Sequence, residues 1–409
     1  MAFALLRHAA LAAALASAAL FAPPTCAEPR PAALANVAGA EDESASAAGS
    51  PPVERITYFD NGKQETITGR ILLESQGGDL LIESPAGAQS VIRGQTILTR
   101  QKSNVPFRPL TPDELGEQVL AELPPGFRVH TTPHYVVCYN TTREYAEWTS
   151  SLFERLYKAF TNYWKRQGME LDEPEFPLVV IAYADRVSYE AASKEVLGGG
   201  AGNIVGYYNL KTNRVTMYDL TGMESLRAGN RRGSMREINQ MLSQRAAVPL
   251  VSTIVHEATH QIAFNCGLQT RLSDIPLWLV EGMAMYFEAP DLTSSRGWRG
   301  IGRVNYPRLA TFRRNLPNWR PDSLATLIAD DRRFRDPGTA ITAYADAWAL
   351  NYYLIKYRPK EFAAYLRLLA EKRSFLADDT QTRFDEFKQH FGDLRTLERE
   401  FLKQMSRVD

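Results

Sequence analysis

Five consecutive residues, His256-Glu257-Ala258-Thr259-His260, constrain this chain more than any other stretch. On a helix, residues four apart share a face, so His256 and His260 can grip one ion from the same side. Glu257 follows the first histidine and points to the edge of that face. It can reach a water on the ion without being a ligand. Two imidazoles, a carboxylate base and a polarised water are the parts of metal-assisted hydrolysis, with zinc as the metal. A catalytic zinc also needs a third protein ligand and an open position. Glu281, within Leu277-Trp278-Leu279-Val280-Glu281-Gly282-Met283-Ala284, is the leading candidate for that ligand.

The flanking sequence asks for a helix at each place. Pro249 can open the first helix, Leu250, Ile254 and Val255 give it an apolar side, and Gly267 suits its left-handed end. Asp274 and Pro276 mark the start of the second, the aspartate as cap and the proline in the first turn. Glu281 shares a face with Leu277, Trp278, Ala284 and Met285. A carboxylate on such a face is costly unless a cation pairs with it.

The stretch from His256 to Glu288 resembles the gluzincin metallopeptidases. It is most similar to the aminopeptidase-N-like branch, whose second motif reads Trp-Leu-x-Glu-Gly-x-Ala and is matched from Trp278 to Ala284. The remainder resembles the peptidase-MA-like group, secreted bacterial proteins of unknown function that carry the same two motifs. The resemblance implies His256, His260 and Glu281 as zinc ligands and Glu257 as base. That group also has a tyrosine in a Tyr-Ala-x-x-Trp-Ala-Leu context, matched by Tyr344-Ala345-Asp346-Ala347-Trp348-Ala349-Leu350. Tyr344 is thus a candidate donor to the oxyanion of acyl transfer. It also belongs to an apolar stripe with Ile341, Ala345, Trp348 and Tyr352, and core packing stands as its other reading.

Two departures limit what the resemblance implies. Thermolysin-like members place an aspartate four residues after the ligand glutamate to orient a zinc histidine; here Met285 stands there, and Glu288 is the nearby carboxylate that can replace it. The aminopeptidases bind a free amine with Gly-Ala-Met-Glu-Asn. The nearest stretch here, Gly200-Ala201-Gly202-Asn203, lacks the acid.

Lysine and arginine number 47 against 47 aspartates and glutamates, which gives no electrostatic reason to expect nucleic acid or a membrane surface as partner. The expected partner is a peptide or protein substrate. Arg231-Arg232 and Arg332-Arg333 read as solvated surface. Residues 1–27 read as a cleaved signal peptide: Arg7 and His8, then a run of Ala, Leu and Phe, then Thr25-Cys26-Ala27. The run is too short for a comfortable membrane span, and an extracytoplasmic protein, periplasmic or secreted, is expected. Such a compartment permits a disulfide between Cys138 and Cys266; two buried thiols are the equal alternative.

Residues 28–52, rich in Ala, Pro, Ser and Gly, read as a disordered linker. Residues 53–102 read as a small all-β module of five strands, SH3-like in size, with Asp60-Asn61-Gly62 as a hairpin turn. After a Pro-rich stretch, residues 106–409 form the second domain. It opens with a strand over 128–140, a long helix near 143–166 and a strand over 178–183. Gly198 to Gly202 is a loop with no phosphate-binding signature. A hairpin of Gly206-Tyr207-Tyr208 and Arg214 to Tyr218 follows; by resemblance it is the sheet edge beside the metal cleft, where an extended peptide could add as a strand. Helices are expected near 305–315, 322–330, 339–357, 359–372 and 381–407. The fold class is therefore α+β: a zincin-like metallopeptidase domain with a C-terminal helical lobe, preceded by the β module. His130 and His134, divided by Pro133, and the isolated His390 read as polar surface or core residues. No Gly-x-Ser-x-Gly is present. The function expected is zinc-dependent peptide hydrolysis. Its rivals are a zinc site without proteolysis and a partner-binding scaffold.

Overall fold

The structure, a computed structural model, describes residues 53–198, 204–222, 234–292 and 298–409. The expected signal peptide and linker, most of the Gly198 to Gly202 loop, and Arg231-Arg232 lie outside the described residues. The chain divides into two compact units, residues 53–85 with 89–108 and residues 86–88 with Pro109–Asp409.

The smaller unit holds β1 (Val53–Asp60), β2 (Lys63–Glu74), β3 (Leu80–Glu83), β4 (Gln89–Ile92) and β5 (Ile97–Lys102), paired in the order β4-β3-β2-β1-β5. Asn61 and Gly62, both at positive φ, make the two-residue turn between β1 and β2. Ile56, Ile71, Leu80, Ile82 and Ile92 form its core. Two glutamates are buried beside that core and both are paired. Glu83 accepts from Arg70 Nε at 2.9 Å and from Gln89 at 3.0 Å, and Glu54 pairs with Arg100. Among the described residues β4 does not pair with β5, which returns to pair with β1, so the sheet is open.

The larger unit is α+β. Its sheet runs β6 (Arg128–Thr131), β7 (Tyr135–Tyr139), β8 (Leu178–Tyr183), β10 (Arg214–Tyr218), β9 (Gly206–Asn209) in spatial order. The three inner strands are parallel and the two edges antiparallel. Every residue of β8 is buried, as its unbroken apolar run requires of a central strand. The span 128–140 is a hairpin of two strands and not one, because Thr132-Pro133-His134 turns the chain between β6 and β7. Helices α1 (Pro112–Glu122), α2 (Arg143–Arg166), α3 (Arg186–Leu197) and α4 (Met235–Leu242) accompany the sheet.

Two helices then carry the residues of interest. The first, α5 (Val248–Asn265), has Pro249 in its first turn and Gly267 at φ 73 just past its end. The second, α6 (Leu277–Phe287), begins differently from expectation. Asp274 does not cap it. Pro276 is the N-cap, and Asp331 from elsewhere in the chain accepts the Leu277 N–H at 3.0 Å. Asp274 instead pairs with the buried Arg383 at 2.6 Å, and Arg383 also reaches Asp331 at 3.2 Å.

The rest is helical: α7 (Tyr306–Asn315), α8 (Ser323–Ala329), α9 (Arg332–Arg335), α10 (Ala340–Tyr357), α11 (Pro359–Ala370), α12 (Thr380–Phe391) and α13 (Leu394–Met405). The expected helix over 381–407 is two, since Gly392 at φ 80 ends α12 and Asp393 caps α13. Arg333 is not solvated surface; it pairs with the fully buried Asp346 of α10 at 2.5 Å. Ile341 is 44% exposed and so lies outside the stripe expected to bury it. Cys138 and Cys266 are both buried free thiols. No helix among the described residues is long and apolar enough to cross a membrane.

Close packing fixes α6 against α10. A Cβ on Gly282 would lie 2.0 Å from Asn351 Nδ2 and 2.5 Å from the Ala347 carbonyl. Asn351 Nδ2 donates to the Trp278 carbonyl at 2.8 Å and to the Ala347 carbonyl at 2.9 Å, so it ties the two helices together. A glycine-to-alanine change inside a helix ordinarily stabilises by about 1 kcal/mol. Here the contact reverses the sign: Gly282→Ala is expected to destabilise by about 1–3 kcal/mol, as overpacking does. Equilibrium unfolding in urea checks it, and a stabilised variant would refute the packing argument.

Candidate metal centre

Helical periodicity gives α5 two working faces. His256 and His260 lie on one, Glu257 and Gln261 on the next. On the second face, Gln261 Nε2 donates to the Val179 and Asn213 carbonyls, both at 3.0 Å. These bonds hold α5 against the sheet and fix its rotation. The histidine face is thereby turned toward α6.

There the expected ligands converge. His256 Nε2 lies 3.2 Å from Glu281 Oε2, His260 Nε2 lies 3.0 Å from His256 Nε2, and His260 Nε2 lies 3.8 Å from Glu281 Oε2. The two rings meet edge to face, with 84° between their planes. All three residues are buried, and their ligand atoms fall within 4.8 Å of one another, a group able to hold a metal ion. It is the one such group of His, Cys, Asp and Glu side chains among the described residues.

Glu288 takes the supporting place that Met285 cannot. Its Oε2 lies 2.9 Å from His256 Nδ1, and its Oε1 accepts from Asn305 Nδ2 at 2.6 Å. A carboxylate on the far nitrogen fixes the ring and leaves Nε2 to face the ion. Asn305 could not have been picked out from sequence, since it acts through Glu288 and also caps α7 by accepting from Arg308 N. His260 Nδ1 has no hydrogen-bond partner among the described residues.

Glu257 is fully buried beside the cluster. Its Oε2 accepts the backbone N–H of Tyr208 at 2.8 Å, and its Oε1 has no partner among the described residues. Burial drives its carboxyl up to about 8, against the opposing charge of His256 and the Tyr208 N–H. Glu281 goes the other way. Burial raises it, but the charge of His260 and bonds to both histidines pull it down to about 2. Burial lowers His256, yet bonds to Glu281 and Glu288 outweigh this and raise it to about 10. Burial holds His260 below its ordinary value. At neutral pH these four side chains by themselves therefore leave His256 as the cation and Glu257 mostly protonated, beside an ionised Glu281.

Tyr344 is fully buried on α10 with Phe334 edge-on at 5.2 Å and the Arg308 guanidinium 5.7 Å from its ring centre. Burial and then the negative charge of Glu281 raise its phenol well above the ordinary value, and Glu257 adds to the effect. It thus sits in the electrostatic field of the cluster and in the core at once. The other histidines lie elsewhere. His134 Nδ1 pairs with Glu154 at 2.7 Å, and His390 Nδ1 lies 2.9 Å from the Glu386 carbonyl.

A family described as "Protein of unknown function (DUF1570)" matches residues 250–376. That span contains His256, Glu257, His260, Glu281, Glu288 and Tyr344. No curated protein matches the chain.

A metal arriving at His256 Nε2 must displace the proton held there, so binding releases a proton and strengthens as pH rises. With His256 at about 10, the effect spans the neutral range. Apparent affinity is expected to rise about tenfold per unit between roughly pH 6 and pH 8. Competition against a chelator at several pH values checks it, and a flat profile would show that His256 does not carry the proton.

Proposed function

We propose that this chain is a zinc-dependent peptidase of the zincin type, acting outside the cytoplasm. The observation that carries the reading is the convergence of His256 Nε2, His260 Nε2 and Glu281 Oε2 beside the buried Glu257. A tetrahedral zinc with bonds of roughly 2.0–2.2 Å spaces its ligand atoms roughly 3.3–3.5 Å apart. The separations here, 3.0, 3.2 and 3.8 Å, bracket that spacing. Two imidazoles and one carboxylate are also the donor set of catalytic zinc, with a fourth position for water.

Zinc held there would polarise a water and the substrate carbonyl. The chain's own residues do the rest. Glu288 holds the His256 Nδ1 proton and keeps Nε2 directed inward. Glu257 takes the proton of the attacking water and returns it to the leaving amine. The Tyr344 hydroxyl donates to the oxyanion as charge develops on it. The peptide to be cleaved lies along β9, the sheet edge beside α5. The Tyr208 N–H on that edge already has Glu257 as its acceptor, so an added strand would pair through the other outward-facing groups of the edge.

The roles of base and ligand separate by mutation. Glu257→Gln is expected to keep zinc at one per chain and lose turnover of a peptide library, while Glu281→Ala loses the zinc. Elemental analysis and product mass spectrometry on the same preparations check both. Absence of zinc after reconstitution of the wild type, or zinc without cleavage, would overturn the peptidase reading.

Tyr344→Phe removes only a hydroxyl and keeps the packing against Phe334. As an oxyanion donor its loss lowers kcat about a hundred- to a thousandfold. As a core residue its loss leaves kcat in place. Measuring kcat with Tm on one preparation distinguishes the two.

A further inference from the structure

We propose that Tyr208 is the positioning residue for Glu257, through its backbone N–H, and that this bond leaves Oε1 as the oxygen that moves protons. Naming Glu257 a base rests on the peptidase reading; its being held by the strand does not.

The geometry is over-determined. Tyr208 sits on the edge strand β9, opposite Val215 of β10. In an antiparallel pair, N–H groups alternate between the partner strand and the free edge. The Tyr208 N–H faces the free edge, where it meets Glu257 Oε2 at 2.8 Å instead of water. The side chain of the same residue locks that placement. Its ring stacks on Phe264 of α5, with centroids 6.0 Å apart and 20° between planes. Its hydroxyl donates to Asn213 Oδ1 at 2.7 Å, and Asn213 exchanges amide hydrogen bonds of 2.7 Å with Asn265 of α5. Phe264 and Asn265 lie two turns beyond Glu257, so the hairpin grips α5 at both ends of one face. The strand and the carboxylate cannot shift independently.

The two oxygens of Glu257 are therefore unlike. Oε2 is occupied by a main-chain donor, while Oε1 is buried with no partner among the described residues. A buried carboxylate oxygen without a donor is expensive unless a group arrives to use it. Oε1 is the oxygen with both lone pairs unengaged, and proton transfer is assigned to it on that ground.

The test is residue-resolved amide hydrogen exchange on the full chain, without substrate, in wild type and Glu257→Ala. An outward edge-strand amide is exposed to exchange unless something holds it. The Tyr208 amide is expected to exchange about tenfold faster in Glu257→Ala, the effect of losing one hydrogen bond. The Tyr207 amide, which faces β10, is expected to keep its rate. An unchanged Tyr208 rate, or equal acceleration along all of β9, would overturn the proposal. A second variant reads the consequence. Tyr208→Pro removes the N–H, and Tyr208→Ala, which loses the same ring and hydroxyl but keeps the N–H, is its reference. Zinc binding is expected to survive, while kcat falls about ten- to a hundredfold, part of what a general base contributes. Zinc retained with kcat unchanged would overturn it too. Should the wild type cleave nothing, the peptidase reading fails, and the exchange result still decides whether Tyr208 holds Glu257.

Discussion

Burying Glu257, Glu281 and much of Glu288 around two imidazoles is the constraint on which the rest of this unit depends. An isolated ionised group taken from water is expensive, and a cluster of like charges is worse. Positive charge must be present at the centre. A proton on His256 and another on Glu257 satisfy part of the need, and the pairing explains why that histidine is driven up and Glu281 down. A divalent ion satisfies more of it, and the three converging lone pairs have the spacing to hold one. A group of this kind would gain stability from a bound cation, which is how metal binding becomes folding free energy.

Bringing His256, His260 and Glu281 together demands that two helices meet at fixed rotation. For α5 the rotation is set from behind, by Gln261 bonded to two carbonyls of the sheet. For α6 it is set at both ends of the contact. Asp331 and Arg383 secure the first turn, and the absence of a side chain at Gly282 lets α10 approach until Asn351 bonds to the Trp278 carbonyl. The glycine that follows Glu281 is therefore a packing device. It also brings the α10 face bearing Tyr344 toward Glu281, since Tyr344, Ala347 and Asn351 recur at helical spacing.

What could be read from the sequence follows from how local each determinant is. The His256 and His260 spacing, the Pro249 and Gly267 boundaries and the β9–β10 hairpin are written within a few residues, and they appear where expected. The cap of α6 could not be read, because Asp331 arrives from a distant segment and displaces the local candidate Asp274. The span 128–140 read as one strand, and only the pairing of β6 with β7 shows that the chain turns at Pro133. Arg333 looked like a surface charge because its partner, Asp346, lies inside an otherwise apolar helix. Glu288 was legible as the replacement for Met285; Asn305 behind it was not, having no motif of its own. Main-chain donors are invisible in principle: nothing about a tyrosine at 208 announces that its N–H is the useful part.

That a main-chain group holds Glu257 suits the role of base proposed for it. Burial pushes its carboxyl up to about 8, with the Tyr208 N–H acting against the rise. A base works best when its affinity for the proton lies near the working pH, so that it can both take and return one. A cation at the adjacent ligands would lower the carboxyl further, toward the ionised form that accepts the proton. A second carboxylate-directed side chain, an arginine for instance, would overshoot and leave the oxygen too weakly basic to be useful. A single neutral dipole is a weaker pull. It orients the carboxylate through one oxygen, leaves the other unengaged, and keeps the group close to the balance point between its two protonation states.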